Sequence, residues 1–288
     1  MARIVLTGTT GHVGGGAARE LAAAEQLLQI VRDPARAPSL PGAETAVVAG
    51  MDDREGLLAA FRPGDRVFMV SAWTGHEERL RLHRAFVDAA ADAGVAHLVY
   101  LSFVNASPGA AFPHARSHAD TEEHIRASGV PFTFLRTSYY NFSMEAFFLG
   151  DAVRGPGGRV GWVSRADCAS AVAAAMAGGD HAGQTLDVTG PDAPTLQEAA
   201  DRVGAVLGAP FRYVREDEPA PGGPEWKEGI RLRGSRAILL GELANVGDGV
   251  QRLTGREPRS IEDYALANPE RFTGSPAHPP SRPARASP

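Results

Sequence analysis

Apolar residues between positions 3 and 136 alternate between two patterns. Short solid runs such as Ile4-Val5-Leu6, Leu27-Leu28, Ile30-Val31 and Val67-Phe68-Met69-Val70 are bounded by turn residues. Short runs that are apolar at nearly every position predict strands buried on both faces, as in a parallel sheet. Between them, apolar residues return every three or four positions, the period of an amphipathic helix. The pattern predicts strands at 3–6, 27–31, 43–49, 66–71, 97–102 and 132–136, and helices at 17–24, 53–61, 76–93 and 116–128. Gly94 and Gly129 close the last two helices, as C-terminal glycines do. Strands alternating with helices predict an α/β fold with a doubly wound parallel sheet. Right-handed crossovers then gather the strand C-terminal ends on one edge, where ligands bind.

The second half is less regular. Residues 150–165 read as a glycine-rich loop with a short strand at 160–163. A helix at 166–177, a strand at 185–189, a helix at 196–207 and an extended piece at 211–214 follow. Residues 216–224 form a Pro/Gly linker, and 225–253 are helical in pieces. Residues 274–288 carry five prolines and no periodicity, which predicts a disordered tail. The predicted organisation is a nucleotide-binding domain over 1–189, with 137–165 contributing to a smaller α/β lobe completed by 190–272, and a tail from 273 to 288.

The junction of the first strand and helix carries candidate chemistry. Gly8-Thr9-Thr10-Gly11-His12-Val13-Gly14 has the spacing G-x-x-G-x-x-G, directly preceded by Thr7. A strand, a glycine-rich turn and a helix N-terminus make an anion site whose free N–H groups face a pyrophosphate. A glycine triplet alone is weak in a chain with 33 glycines. The strand–turn–helix context is what makes this a Rossmann-type dinucleotide turn.

Composition narrows the setting. The 288-residue chain is 43% hydrophobic, carries a net charge of −5 and has one cysteine, Cys168. Mild acidity without a basic run argues against nucleic acid as a partner. A single cysteine excludes an intrachain disulfide and suits a reducing compartment. Residues 1–6 run straight into the first strand and leave no room for a signal peptide, and no apolar run reaches membrane-spanning length. The expected setting is the cytoplasm, with no membrane partner, and base rates favour a homodimer.

The end of the second strand discriminates between nucleotides. An acid there ordinarily binds the ribose 2′-hydroxyl. Here the strand ends in Arg32, followed by Asp33-Pro34-Ala35-Arg36. A guanidinium at Arg32, with Arg36 one turn on, suits a 2′-phosphate and favours NADPH over NADH. If Asp33 faced the ribose instead, NADH would be favoured.

These segments resemble the NmrA-like atypical short-chain dehydrogenase/reductases. The resemblance rests on Leu6 to Gly14, on Val31-Arg32-Asp33-Pro34-Ala35-Arg36-Ala37, and on Val99-Tyr100-Leu101-Ser102. Thr121-Glu122, Ser128-Gly129, Leu135-Arg136, Arg165-Ala166-Asp167 and Leu186-Asp187-Val188-Thr189-Gly190-Pro191 extend it across nearly the whole chain. Within the family, the quinone-oxidoreductase and triphenylmethane-reductase-like branch is the most similar. The resemblance implies further cofactor contacts at Ser71, Ala72 and Trp73, at Ser102 and Phe103, and at Thr137 and Ser138. The family's acid after the third strand is replaced by Gly50, leaving only a weak expectation that Asp52 or Asp53 meets the adenine.

The superfamily's Tyr-x-x-x-Lys pair is missing; Tyr100 does not qualify. At the corresponding place stands His114-Ala115-Arg116-Ser117-His118. The resemblance puts His118 in the lysine's place, against ribose or nicotinamide. His114 and His118 also have metal spacing, but no third ligand completes a site, so no metal is expected. His83 falls on the core stripe of its helix and reads as structural.

Reducing an ordinary carbonyl makes a strongly basic alkoxide that needs a general acid. A quinone yields a far less basic phenolate, so the missing pair favours a quinone-like or other planar conjugated acceptor. The expected proton donors are His118 and Tyr139, and the expected acceptor contacts are Tyr140, Asn141 and Phe142 beside Tyr139. Phe147, Phe148 and Trp162 are candidate further walls. Two alternatives stay open: a non-catalytic NAD(P)-sensing regulator, and a tailoring reductase of secondary metabolism.

Overall fold

The computed structural model describes residues 2–22, 26–219 and 225–272, without the side chains of 225–228. In chain order the first half contains β1 (Ile4–Thr7), α1 (His12–Glu20), β2 (Leu27–Val31), β3 (Ala43–Val47), α2 (Arg54–Ala60), β4 (Arg66–Met69), α3 (His76–Asp92), β5 (His97–Phe103), α4 (Pro113–Ser128) and β6 (Phe132–Thr137). The second half contains β7 (Phe148–Leu149), β8 (Ala152–Gly155), α5 (Arg165–Ala177), β9 (Gln184–Val188), α6 (Leu196–Leu207), β10 (Arg212–Arg215), α7 (Glu225–Leu239), α8 (Gly249–Thr254) and α9 (Ile261–Ala267).

Seven strands pair in the order β3-β2-β1-β4-β5-β6-β9. Every pairing in that sheet is parallel. Their apolar runs are buried because helices cover both faces. On one face Leu6, Phe68 and Leu135 pack with Ala17 of α1 and Cys168 and Val172 of α5. On the other, Val67, Tyr100 and Phe134 pack with Phe86, Val87 and Ile125 of α3 and α4. The strand order reverses between β1 and β4, which opens a crevice over the C-terminal ends at that point. Thr7 fastens the crevice floor: its hydroxyl donates to the Phe68 carbonyl at 2.9 Å and accepts from the Val70 N–H at 3.0 Å.

A second lobe stands over that edge. β7, β8 and β10 form a small mixed sheet. Its core joins Phe147, Phe148 and Trp162 to Leu196 and Val203 of α6, Ile238 of α7 and Ile261 of α9. The chain leaves β6 for this lobe through a 3-10 turn at Asn141–Ala146.

Several predicted boundaries move. α1 begins at His12 rather than residue 17, because packing against α5 holds three glycines helical. α4 begins at Pro113, a residue suited to the first helical position, so His114 lies in its first turn. The predicted strand at 160–163 is only an isolated bridge from Val163 to Tyr140. α8 falls within 190–272 yet belongs to the large sheet's core, where Val250 packs with Val188 and Cys168. Part of the predicted linker, 220–224, and the predicted tail, 274–288, lie outside the described residues.

Candidate active site

The turn from β1 into α1 is built by its glycines. Gly8 has φ +67°, and a Cβ there would meet Val70 at 2.7 Å. A Cβ at Gly14 would lie 2.4 Å from the Gly8 carbonyl oxygen, an immovable backbone atom. The turn closes through the Gly11 N–H donating to the Gly8 carbonyl at 2.9 Å. Thr10, Gly11 and His12 are exposed at the helix N-terminus, whereas Val13 is turned inward and packs in the core. Three buried hydroxyls lack hydrogen-bond partners among the described residues: Thr9 after β1, Ser71 after β4 and Ser138 after β6. Buried polar groups are ordinarily satisfied. A row of orphan hydroxyls along one sheet edge, ending at a glycine cradle, fits an elongated polar ligand such as a dinucleotide. Partial burial and the nearby cations Arg165 and Arg19 hold the His12 imidazole below its usual pKa. Arg165, whose guanidinium lies 4.5 Å above the Phe142 ring, therefore adds positive charge beside this turn. Sequence reasoning had taken Arg165 only as a family signature.

Arg32 and Arg36 are exposed beyond the end of β2, and neither forms an ion pair among the described residues. Asp33 instead caps the short turn Pro34–Arg36, accepting the Ala35 N–H at 3.0 Å. Its carboxylate is occupied locally, and the guanidinium groups are the free charges. Asp53 caps α2, and Asp52 pairs with Arg81 at 2.8 Å. The weak adenine expectation for these two acids thus meets carboxylates already engaged.

A polar network lies between the sheet and the helices α3 and α4. The His83 Nε2 accepts the Ala72 N–H at 2.9 Å. Its Nδ1 must then carry the proton it donates to Thr121 at 2.8 Å, and Thr121 donates onward to the Ser117 carbonyl. The chain of donors requires a neutral imidazole, and burial pushes the His83 pKa down to about 3. His118 meets the Tyr100 hydroxyl through Nδ1 at 2.7 Å. Burial raises the Tyr100 phenol and drives the His118 imidazole well below its usual value. The phenol therefore donates to Nδ1, and neutral His118 keeps its proton on Nε2. Phe103 stacks on the His118 ring with centroids 6.1 Å apart. Glu242, following α7, accepts the N–H groups of Ala111 and Phe112 and fixes the start of α4. In that first turn, burial lowers the His114 pKa to about 4, and Trp73 leans on its ring at 5.7 Å.

A family model described as NAD(P)H-binding matches residues 8–178, more than half of the chain. The chain belongs to this NAD(P)H-binding family. Among curated relatives, a (4-alkanoyl-5-oxo-2,5-dihydrofuran-3-yl)methyl phosphate reductase of Streptomyces griseus is 32% identical over 93% of this chain and 99% of its own. An NAD(P)H azoreductase of Xenophilus azovorans is 28% identical with the same coverage. The solved triphenylmethane reductase of Citrobacter sp., complexed with NADP(H), superposes with a TM-score of 0.79 at 27% identity, covering 92% of this chain and 99% of that one. These relatives are named as reductases, and this member is an NAD(P)H-dependent oxidoreductase.

Against this family frame, the residues predicted to meet the acceptor separate. The chain leaves β6 extended, so successive side chains point to opposite sides. Tyr139 turns into the second lobe's core, packing on Phe112, Phe103 and Trp162, and its hydroxyl donates to the Ile230 carbonyl at 3.4 Å. The proton-donor role expected of Tyr139 does not fit a phenol whose hydrogen is directed to α7. Tyr140 goes the other way, stacking on Phe142 and packing against the α1/α5 core. The buried Asn141 amide donates to the Ser260 carbonyl and anchors the start of α9. The expectation of aromatic residues 139, 140 and 142 stacking together on one acceptor is therefore corrected. Phe147, Phe148 and Trp162 are lobe core rather than cleft walls.

Two expected cofactor contacts are also altered. The Ser102 hydroxyl donates to the buried Glu122 carboxylate at 2.6 Å, which Arg136 clamps at 2.8 and 2.7 Å. Thr137 donates to the Ser102 carbonyl at 3.3 Å. Both hydroxyls join β5, β6 and α4 rather than pointing free into the crevice. Trp73 is 86% exposed, an open flap rather than a wall. Sequence reasoning missed Tyr100, dismissed for lacking a lysine four residues on. The signal was a tyrosine on a buried strand whose inward-facing hydroxyl needs a partner.

Proposed function

We propose that the protein is an NADPH-dependent reductase that transfers hydride to a quinone-like or other planar conjugated acceptor. The carrying observation is that His118, in the place the resemblance gives to the superfamily's lysine, is a buried neutral imidazole held by the Tyr100 phenol. When bound, the reduced nicotinamide supplies the hydride. The Gly8–Gly14 turn and Thr9 hold the pyrophosphate. Arg32, with Arg36, binds the 2′-phosphate, which selects NADPH. Ser71, Ala72 and Ser138 border the nicotinamide end of the crevice.

His118 offers an Nε2–H that is a hydrogen-bond donor and not a strong acid. Such a donor steadies the weakly basic oxygen of a reduced quinone or enone but does not protonate an alkoxide on demand. Water then supplies the proton. The three relatives described above act, by their names, on an unsaturated lactone, on azo compounds and on triphenylmethane dyes, all conjugated acceptors.

The test mixes purified protein with NADPH and a panel of quinones and follows the loss of NADPH absorbance. The expected result is acceptor-dependent oxidation, faster with NADPH than with NADH. Tight NADPH binding without oxidation by any acceptor would refute the enzyme reading and favour a sensor.

A further inference from the structure

Arg79 is 2% exposed on the inner face of α3, four residues before His83 and on the same stripe. Its guanidinium has almost no protein partners. Nη2 makes a 3.5 Å contact with the Thr74 carbonyl, and Nε has no partner among the described residues. No carboxylate pairs with it there. The fold treats its other buried guanidinium groups differently: Arg3 is chelated by Asp65 at 3.0 and 2.7 Å and by the Ala60 carbonyl, and Arg231 meets Glu216. A buried, unpaired charge is unfavourable unless an anion completes it.

The surroundings say where that anion comes. Arg79 reaches the Thr74 carbonyl in the loop after β4, and one turn on along its own helix His83 takes the Ala72 N–H of the same loop and packs on Tyr100, the partner of His118. The orphan Ser71 hydroxyl lies at the same strand end, and Trp73 and Thr74 form the loop above. Exposed Arg233 of α7 adds a second cation beside His114 and Tyr139. The 2′-phosphate end of the crevice, at Arg32, is on the far side of the switch point.

We propose that Arg79 makes this an acceptor site for neutral or anionic conjugated carbonyls, whose reduction leaves an oxyanion, and excludes cationic acceptors such as triarylmethyl dyes. The inference rests on the reductase reading. On hydride uptake such an acceptor gains a bond to hydrogen and an electron pair. Its conjugated π electrons move onto the carbonyl oxygen, the nicotinamide is oxidised, and a water proton later neutralises the oxygen. The negative charge thus appears where the unpaired guanidinium can stabilise it. A triarylmethyl cation loses its charge on reduction, so its ground state alone meets the guanidinium, and repulsively. Similarity to a triphenylmethane reductase therefore does not extend to its substrate.

The test compares kcat/KM for menadione, a naphthoquinone sulfonate and malachite green in wild type, Arg79→Met and Arg79→Lys, with NADPH affinity read by fluorescence. Wild type should reduce both quinones well and the cationic dye poorly. Arg79→Met should lower the quinone-to-dye ratio by about tenfold or more, chiefly through kcat, and Arg79→Lys should restore most of it. NADPH affinity should stay constant, which also reports that the variants fold. An unmoved ratio with active variants would overturn the inference, as would a loss of NADPH affinity matching the loss of quinone turnover. If wild type reduces none of the three, the reductase reading itself fails and this inference falls with it.

Discussion

Tyr100→Phe isolates the hydroxyl that orients His118. The ring would remain, keeping its edge contact with Phe134 at 6.3 Å and filling the same buried volume. The 2.7 Å bond to the His118 Nδ1 would go, with the hydroxyl's lesser interactions with Thr121 and Ser71. Both groups are buried, so no water replaces the lost donor, and an unsatisfied buried acceptor costs about 1–3 kcal/mol. For a chain of this size that is a fall in Tm of roughly 2–10 °C. The catalytic effect is separate. Without the phenol, the His118 proton moves between its two nitrogens, and Nε2–H no longer faces the acceptor in every molecule. Losing one such hydrogen bond in the transition state lowers kcat about tenfold, equivalent to ~1.4 kcal/mol. The assay is a double-mutant cycle with His118→Asn, scored by NADPH oxidation with one quinone and by thermal melting. In the His118→Asn background, Tyr100→Phe should no longer change kcat, because Tyr100 is a positioning residue acting through the imidazole. Full, additive losses in both backgrounds would refute that reasoning, as would a single variant with unchanged Tm and kcat.

Arg32→Ala should weaken NADPH binding roughly tenfold or more, the scale of one charge-assisted contact to phosphate, and leave NADH binding unchanged; titration of both cofactors checks it, and equal losses would place the 2′-phosphate elsewhere. Stability should fall steeply in mild acid. Burial first, then neighbouring cations, lowers His83 to about 3 and His97 to about 4, and lowers His118 well below its usual value. Each is depressed on folding, so between its folded pKa and the unfolded value near 6.5 the unfolded chain binds the extra proton. The stabilisation is complete above pH ~6.5 and drains as pH falls toward about 4, by up to ~1.4 kcal/mol per pH unit for each histidine. Urea melts at pH 7 and pH 5.5 should differ by several kcal/mol, and a flat profile would mean these imidazoles are solvated.

The large sheet was readable because its strands are solid apolar runs and its helices keep one apolar stripe, both local signals. The glycine spacing was readable for a similar reason. Gly8 must turn the chain at φ +67°, and Gly14 must admit a backbone oxygen, so their chemistry is written at their own positions. The acceptor side was not. Tyr139 and Tyr140 are neighbours in sequence, but an extended exit from β6 sends them into different cores. Ser102 looked like a strand-end hydroxyl free for ribose until Glu122, a turn along α4 from His118, claimed it.

The sequence by itself determined the order of elements, the glycine turn after β1, the arginine at the end of β2 and the absence of the usual tyrosine–lysine pair. Each depends on residue type and spacing within one segment. The tertiary structure alone decided which polar groups are paired and which are left over. It joined Tyr100 to His118 across β5 and α4, gave Asp65 to Arg3, and gave Arg79 no carboxylate among the described residues. Hydrogen bonds and burial form between segments distant in the chain, and they decide the charge a site presents to its ligand.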